Sequence, residues 1–370
     1  MKVTCDRGAL VESLTLVGGV VVARTPKPVL RCVKLSAQDG LLFLASTDLE
    51  VSVRVSTPRV EVTESGEALV PCDKLVQIVR ESVDPTLELV VEKDVAHIRG
   101  PDSHFQIYGQ AVSDFPPDPQ FTGDPDFQIN AGQLSQLIGK TIFAAARETS
   151  RYAMNGVLLE REGKKLTVVA TDGRRLALAK GDCGSIKDSA DTAKHAAIIP
   201  TKALHMLQRL FVDADQDVRV RIADNQIVFG TDQMVLSSNL VEGNFPPYKD
   251  VVPKDGDRKA TLNTEIFARA VRRAALLTTE ESKGVRMAFT GDGLTISSRA
   301  PDLGEAEVRA DVVSYEGEPV EIGFNPQFVL DALKVVDGDE VVLDLKAANK
   351  PGLMRSGSNF LYVVMPVNLQ

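Results

Sequence analysis

Apolar and polar residues alternate at period two over many short stretches of the chain. Val51-Ser52-Val53-Arg54-Val55, Val218-Arg219-Val220-Arg221-Ile222 and Glu307-Val308-Arg309-Ala310 are examples. Such alternation puts one face of a strand in a core and the other in water. Six windows change instead to helical spacing. Three follow a short apolar strand and carry Leu75, Val76 and Val79; Leu204, Leu207 and Phe211; and Val329, Leu330 and Leu333. Pro71 and Pro200 stand at the start of the first two, where a missing N–H is harmless. The other three windows are 9–17, 132–146 and 264–277, the last with Thr264 as its expected N-cap.

These elements recur in order. An aromatic- or Met-proline element appears as Asp114-Phe115-Pro116-Pro117, Asn244-Phe245-Pro246-Pro247 and Val364-Met365-Pro366-Val367, at spacings of 130 and 120 residues. A glycine turn, a short strand and an aspartate run from Gly40 to Thr47-Asp48 and from Gly163 to Thr171-Asp172. The same series returns more faintly from Gly293 to Asp302. The 370 residues therefore read as three copies of one α+β unit, each with two helices and antiparallel strands. The expected domains are 1–122, 126–250 and 254–370. Boundaries fall in the Pro/Asp/Gly-rich stretch 116–125 and near Pro253-Lys254-Asp255-Gly256.

Composition narrows the class. Apolar residues at 44% can supply a core to each third, which excludes a disordered chain. Charges interrupt every apolar run before membrane-spanning length, so no membrane partner is expected. Met1-Lys2-Val3-Thr4-Cys5-Asp6 is unlike a signal peptide, and a cytoplasmic protein is expected. Cys5, Cys32, Cys72 and Cys183 lie too far apart for a Cys-x-x-Cys site, and Cys32 reads as a small buried hydrophobe. His97, His104, His195 and His205 have no metal-ligand spacing, so neither metal nor cofactor is expected.

The net charge of −9 argues against a generic nucleic-acid binder until its distribution is considered. Windows 8–19, 71–80, 131–147, 200–211, 264–277 and 325–335 hold ten basic residues: Lys74, Arg80, Lys140, Arg147, Lys202, Arg209, Arg269, Arg272, Arg273 and Lys334. Their acidic residues are four: Glu12, Asp73, Glu265 and Asp331. The helices thus sum to +6 and the remainder to −15. Lys and Arg are good helix formers, which alone explains part of the bias. If the helices line one surface, that surface attracts a polyanion without reading its sequence.

No phosphate-binding loop, dinucleotide fingerprint or Gly-x-Ser-x-Gly elbow is present. Asp172 beside Arg174 and Arg175 imitates a catalytic cluster but reads as a solvated turn.

Arg151-Tyr152-Ala153-Met154-Asn155-Gly156, Val169-Ala170-Thr171-Asp172-Gly173-Arg174-Arg175-Leu176-Ala177, Phe245-Pro246-Pro247-Tyr248 and Val363-Val364-Met365-Pro366-Val367 together resemble the bacterial sliding clamps, the β subunits of DNA polymerase III. The resemblance covers the whole chain. It implies three similar clamp domains forming half of a closed ring, with helices lining the hole and strands outside. It implies a head-to-tail homodimer that encircles double-stranded DNA and confers processivity without catalysis. Its implied partners are the replicative DNA polymerase catalytic subunit, a clamp loader complex, and other polymerases and repair factors carrying clamp-binding peptides.

Carried over position by position, the partner-peptide pocket comprises Met154, Thr171, Gly173, Arg174, Arg175, Leu176, Pro246, Val251, Val364, Met365, Pro366 and Val367. Met154, Leu176, Val251, Val364 and Met365 are its expected apolar walls, and Tyr248 a support. Arg24, Arg151 and Tyr152 match DNA-facing positions. Lys202, Arg209, Arg272, Arg273 and Lys283 join them on helix and loop charge. The ring contact matches at Lys74, Ile78 and Phe105 against Leu276, Leu277 and Glu305. Asp250, Asn368, the added Gln370 and Ala153 depart from the family pattern. The first two bear on peptide preference and Ala153 on single-stranded template.

Two other readings remain at this point. A repeat-built scaffold would bind partner peptides and never encircle DNA. An enzyme acting on a phosphorylated substrate would use Asp172, Arg174 and Arg175.

Overall fold

The computed structural model describes residues 1–147, 152–184, 194–211, 213–279 and 284–368. They contain six α-helices: α1 (Arg7–Gly18), α2 (Cys72–Glu81), α3 (Ala131–Gly139), α4 (Thr201–Leu210), α5 (Thr264–Ala274) and α6 (Pro326–Leu333). Each third of the chain supplies two, as the pattern predicts. Asp6 caps α1 by accepting from the Ala9 N–H at 2.8 Å, and Asn325 caps α6 with Pro326 in its first turn.

Two expectations at helix ends are corrected. Asn263, not Thr264, caps α5: its carboxamide oxygen accepts from the Glu265 and Ile266 N–H groups at 3.1 and 3.0 Å. Thr264 is already helical and its hydroxyl donates to the Gly338 carbonyl. The window 132–146 is not one helix either. α3 stops at Gly139, and a separate 3-10 turn, Ile142–Ala144, comes after it. The Thr141 hydroxyl bonds back to the Leu137 and Ile138 carbonyls at 2.9 and 3.2 Å, competing for acceptors at the helix end.

The strands build four antiparallel sheets among the described residues, of five, eight, nine and four strands. The two large sheets each join strands of two different repeats. In the eight-stranded sheet, Met234–Asn239 pairs with Val51–Thr57, Leu236 opposite Val53. In the nine-stranded sheet, Arg175–Asp182 pairs with Phe360–Val364, Leu176 opposite Val363. The middle repeat is therefore shared, and the residues gather into two compact units. One holds Met1–Gly132, Gly184 and Lys202–Leu240. The other holds Gln133–Cys183, 194–201 and the described residues from Val241 onward.

Both cores are apolar, as the alternation requires. Val53, Val55, Leu42 and Leu44 are buried in the first unit; Leu343, Leu345, Ile296 and Phe289 are buried in the second. All four cysteines are buried and outside any disulfide among the described residues, Cys32 included. No described helix is long and apolar enough to cross a membrane.

Candidate functional site

The second unit brings most of the predicted pocket residues together around one turn. Thr171 ends a strand and Arg175 begins the next. The Thr171 hydroxyl donates to the Arg175 carbonyl at 2.7 Å and accepts from the Gly173 N–H at 3.1 Å. Asp172 Oδ1 accepts from the N–H groups of Arg174 and Arg175 at 2.9 and 3.0 Å. Gly173 sits at φ +83°, where a side chain is disfavoured. The C-terminal strand is tied to this turn, because the Met365 N–H donates to the Arg174 carbonyl at 2.9 Å.

Arg175 and Arg174 have opposite fates. Arg174 is exposed. Arg175 is buried, and its guanidinium donates to Asp172 Oδ2 at 3.0 Å, Asp331 Oδ2 at 2.9 Å and the Phe143 carbonyl at 2.8 Å. It also lies 4.4 Å from the centre of the Phe328 ring. Burial disfavours the charged form of Asp331. Hydrogen bonds from Arg175, Gln327 and Lys334 outweigh that and hold its carboxyl below the usual range. Arg175 thus joins the middle repeat to α6 and is a fastening beneath the site. The same bonds occupy Asp172, which removes the geometric basis for a catalytic Asp172–Arg174–Arg175 cluster.

The expected walls divide. Met154 is half-buried, while Val251 and Met365 are exposed. Leu176 and Val364 are buried, at 3% and 0% exposure. Both faces of the two strands are covered here, since their neighbours Arg175 and Val363 are buried as well. Val364 faces the interior opposite Arg175, whereas Val363 lies opposite Leu176 and shares its cluster with Leu178, Ile198 and Tyr248. Phe245 and Val252 pack over that cluster. Val363, Phe245 and Val252 thus pack beside Leu176, a grouping that the motifs containing Val363 and Phe245 do not announce. Tyr248 is buried in that cluster. Its hydroxyl donates to Glu160 Oε2 at 2.5 Å, and burial together with that carboxylate pushes its phenol up. Pro246, Pro366 and Val367 are half-buried, the Val367 N–H bonding the Gly323 carbonyl.

Two clefts open at this site. Met154, Gly173, Arg174 and Arg175 line one with Phe328, Asp331 and Lys334. Val251 and Met365 line the other.

Residues 1–119, 128–247 and 249–368 match, in order, the N-terminal, central and C-terminal domain families of the DNA polymerase III beta subunit. The chain belongs to the beta sliding clamp family. Beta sliding clamps of Vibrio cholerae and Escherichia coli K12 are 33% and 32% identical to it, with 100% of each chain covered. A crystal structure of the DNA polymerase III subunit beta from Pseudomonas aeruginosa superposes with a TM-score of 0.92 at 34% identity. A sliding clamp from Bacillus subtilis gives 0.94 at 28%, both over the full chains. The protein is a DNA sliding clamp of three clamp-fold domains, a processivity factor and not a catalytic enzyme. The family implies interaction with DNA and a polymerase, and a homodimer.

The other candidates are spread over both units. Arg24, Arg209, Arg272 and Arg273 are exposed and form no ion pair among the described residues. Lys202 is exposed but pairs with Asp48, at the turn that matches Asp172 in the first repeat. Tyr152 begins a short 3-10 turn, and Arg151 and Lys283 lie outside the described residues. Lys74 and Ile78 lie on α2, and Phe105 on strand His104–Tyr108. Leu276 and Leu277 come just after α5, and Glu305 lies on strand Gly304–Ala310, ion-paired to Arg299 at 3.1 Å. Asp250 is exposed beside Val251, and Ala153 packs against the Leu176 cluster. Asn368 is exposed and Gln370 lies outside the described residues.

Proposed function

We propose that the chain acts as a homodimeric ring around duplex DNA, tethering the replicative polymerase and other peptide-bearing partners, with domains meeting near 123–125 and 251–253. The observation that carries this reading is a pair of open sheet edges. Strand His104–Tyr108 ends the five-stranded sheet, and strand Gly304–Ala310 ends the four-stranded one. Both edges carry exposed apolar side chains: Phe105 and Tyr108 at the first, Leu303 and nearby Leu276 at the second. Unpaired strand N–H and C=O groups beside apolar residues are templates for another chain. Two different edges make a head-to-tail contact, which closes into a ring when the rotation allows.

Arg24, Arg209, Arg272 and Arg273 are the cations best suited to face DNA, because they form no ion pair among the described residues. Lys202 contributes less while Asp48 holds it. A partner peptide with Leu and Phe anchors is taken by the surface around Met154, Gly173, Arg174, Pro246, Val251, Met365, Pro366 and Val367, over the floor formed by Thr171, Arg175, Leu176, Val363 and Val364. A clamp from Pseudomonas aeruginosa bound to griselimycin supports a ligand site in this family.

Sedimentation velocity tests the ring. Leu276→Asp with Leu277→Asp should give monomers, since an unpaired charge in an apolar contact costs several kcal/mol, roughly 3. A doubly substituted protein that stays dimeric at low concentration would refute the interface. Arg24→Ser, Arg272→Ser and Arg273→Ser together should leave the dimer intact and shorten retention on nicked circular DNA. Unchanged retention would favour the scaffold reading.

A further inference from the structure

The cleft lined by Val251 and Met365 is about 970 Å³ and runs along the C-terminal repeat. Its charge is unlike that of the chain. Five cations line it, Lys254, Lys259, Lys346, Lys350 and Arg355, against the carboxylates of Asp250, Asp255 and Asp344. Lys346 is ion-paired with Asp255, and Arg355 with Asp344 at 2.8 Å. Lys254, Lys259 and Lys350 are exposed and form no ion pair among the described residues. A chain of net charge −9 thus presents a cleft whose lining carries five cations against three carboxylates, with three of the lysines outside any ion pair among the described residues.

We propose that this cleft receives an acidic stretch of the partner polypeptide, flanking the apolar anchor held beside it. The inference rests on the peptide-pocket reading and names the chemistry of what lies next to the anchor. Continuity comes from Val251 and Met365, which belong to the candidate pocket and line the cleft. Charge complementarity comes from the three lysines. The apolar part of the lining, Val252, Pro253, Val342 and Pro351 among it, suits a polypeptide. The lining contains no aromatic ring, so it lacks the stacking surface that single-stranded nucleic acid uses. Asp250 adds a rule of register. Adjoining Val251, it repels a carboxylate immediately beside the anchor, while the lysines attract carboxylates farther along.

The test is fluorescence anisotropy on the full-length protein with three synthetic peptides. All carry the same Leu and Phe anchors, flanked by three serines, by three glutamates on the N-terminal side, or by three glutamates on the C-terminal side. One glutamate peptide should bind about tenfold more tightly than the serine peptide at low salt, from three rim contacts, and the advantage should shrink as salt rises. Lys254→Ser, Lys259→Ser and Lys350→Ser together should abolish that advantage and leave the serine peptide unaffected. Asp250→Ser should enlarge it.

Equal affinities for all three peptides overturn the proposal and leave the pocket intact. A glutamate preference that survives the triple substitution overturns it too, by seating the acid elsewhere. Loss of oligothymidylate binding in the triple variant, with peptide preference unchanged, reassigns the cleft to nucleic acid. Failure of every peptide to bind removes the pocket reading and this inference with it.

Discussion

The turns at residues 47–51 and 171–175 are built by the same hydrogen bonds. Thr47 and Thr171 each donate a hydroxyl to the carbonyl four residues on, Val51 at 3.1 Å and Arg175 at 2.7 Å. Asp48 and Asp172 each accept from two successive N–H groups. The two turns differ in the residues after the aspartate. In the first repeat Leu49 is forced to φ +77°, Val51 enters the core, and the free oxygen of Asp48 takes Lys202. In the second, Gly173 takes φ +83° without strain, and Arg175 claims the free oxygen of Asp172 and reaches Asp331. The backbone of the turn belongs to the repeat. The side chain that closes it decides whether the turn supports a core or fastens a binding site.

The largest expected difference lies at the closing residue. Arg175→Ala removes the guanidinium shared by the half-buried Asp172 and Asp331, leaving Asp331 its bonds from Gln327 and Lys334, and should cost about 3 kcal/mol in urea unfolding. Val51→Ala at the matching place removes two methyl groups and should cost roughly 2 kcal/mol. Equal losses would mean that the fastening is no more than packing.

Acid should distinguish the turns next. Asp331 has a folded pKa below its unfolded one, so its contribution is present above the unfolded pKa and is lost as pH falls through the folded value. Unfolding midpoints between pH 6 and pH 3 should fall more steeply for the parent than for Asp331→Asn. Identical pH profiles would show that the Arg175 network is not coupled to folding.

The smallest expected effect is at the left-handed position. Leu49→Gly relieves backbone strain and offsets it with unfolded-state entropy, for a net gain of about 0.5 kcal/mol. Gly173→Leu should lose about as much or more. Thermal unfolding of the two variants reads both.

Legibility in the chain depends on the range of the interactions involved. The repeat, the helices and the Thr-Asp turns depend on residues within a few positions of one another, so spacing reveals them. The cap at Asn263 was legible by the same rule, since Asn precedes Thr264 and caps at least as well. The role of Arg175 was not, because nothing near it in sequence announces Asp331 or Phe143. Nor was the choice between Val363 and Val364. Alternation says that adjacent valines face opposite ways, but only the pairing of Leu176 with Val363 says which one faces the Tyr248 cluster. Arg174 and Arg175 are adjacent and chemically identical, yet one is solvated and the other buried.

The sharing of strands between repeats sets how this molecule can be taken apart. A fragment ending at residue 122 would strip strand Val51–Thr57 of its neighbour Met234–Asn239. One beginning at residue 254 would strip Phe360–Val364 of its neighbour Arg175–Asp182. Each would expose a fresh ladder of unpaired amides flanked by valine and leucine, the surface from which aggregation starts. A single repeat expressed alone should therefore fall out of solution, whereas a cut that respects the two large sheets has to leave the middle repeat divided. The segment that heredity can copy is thus smaller than the segment that can stand alone in water.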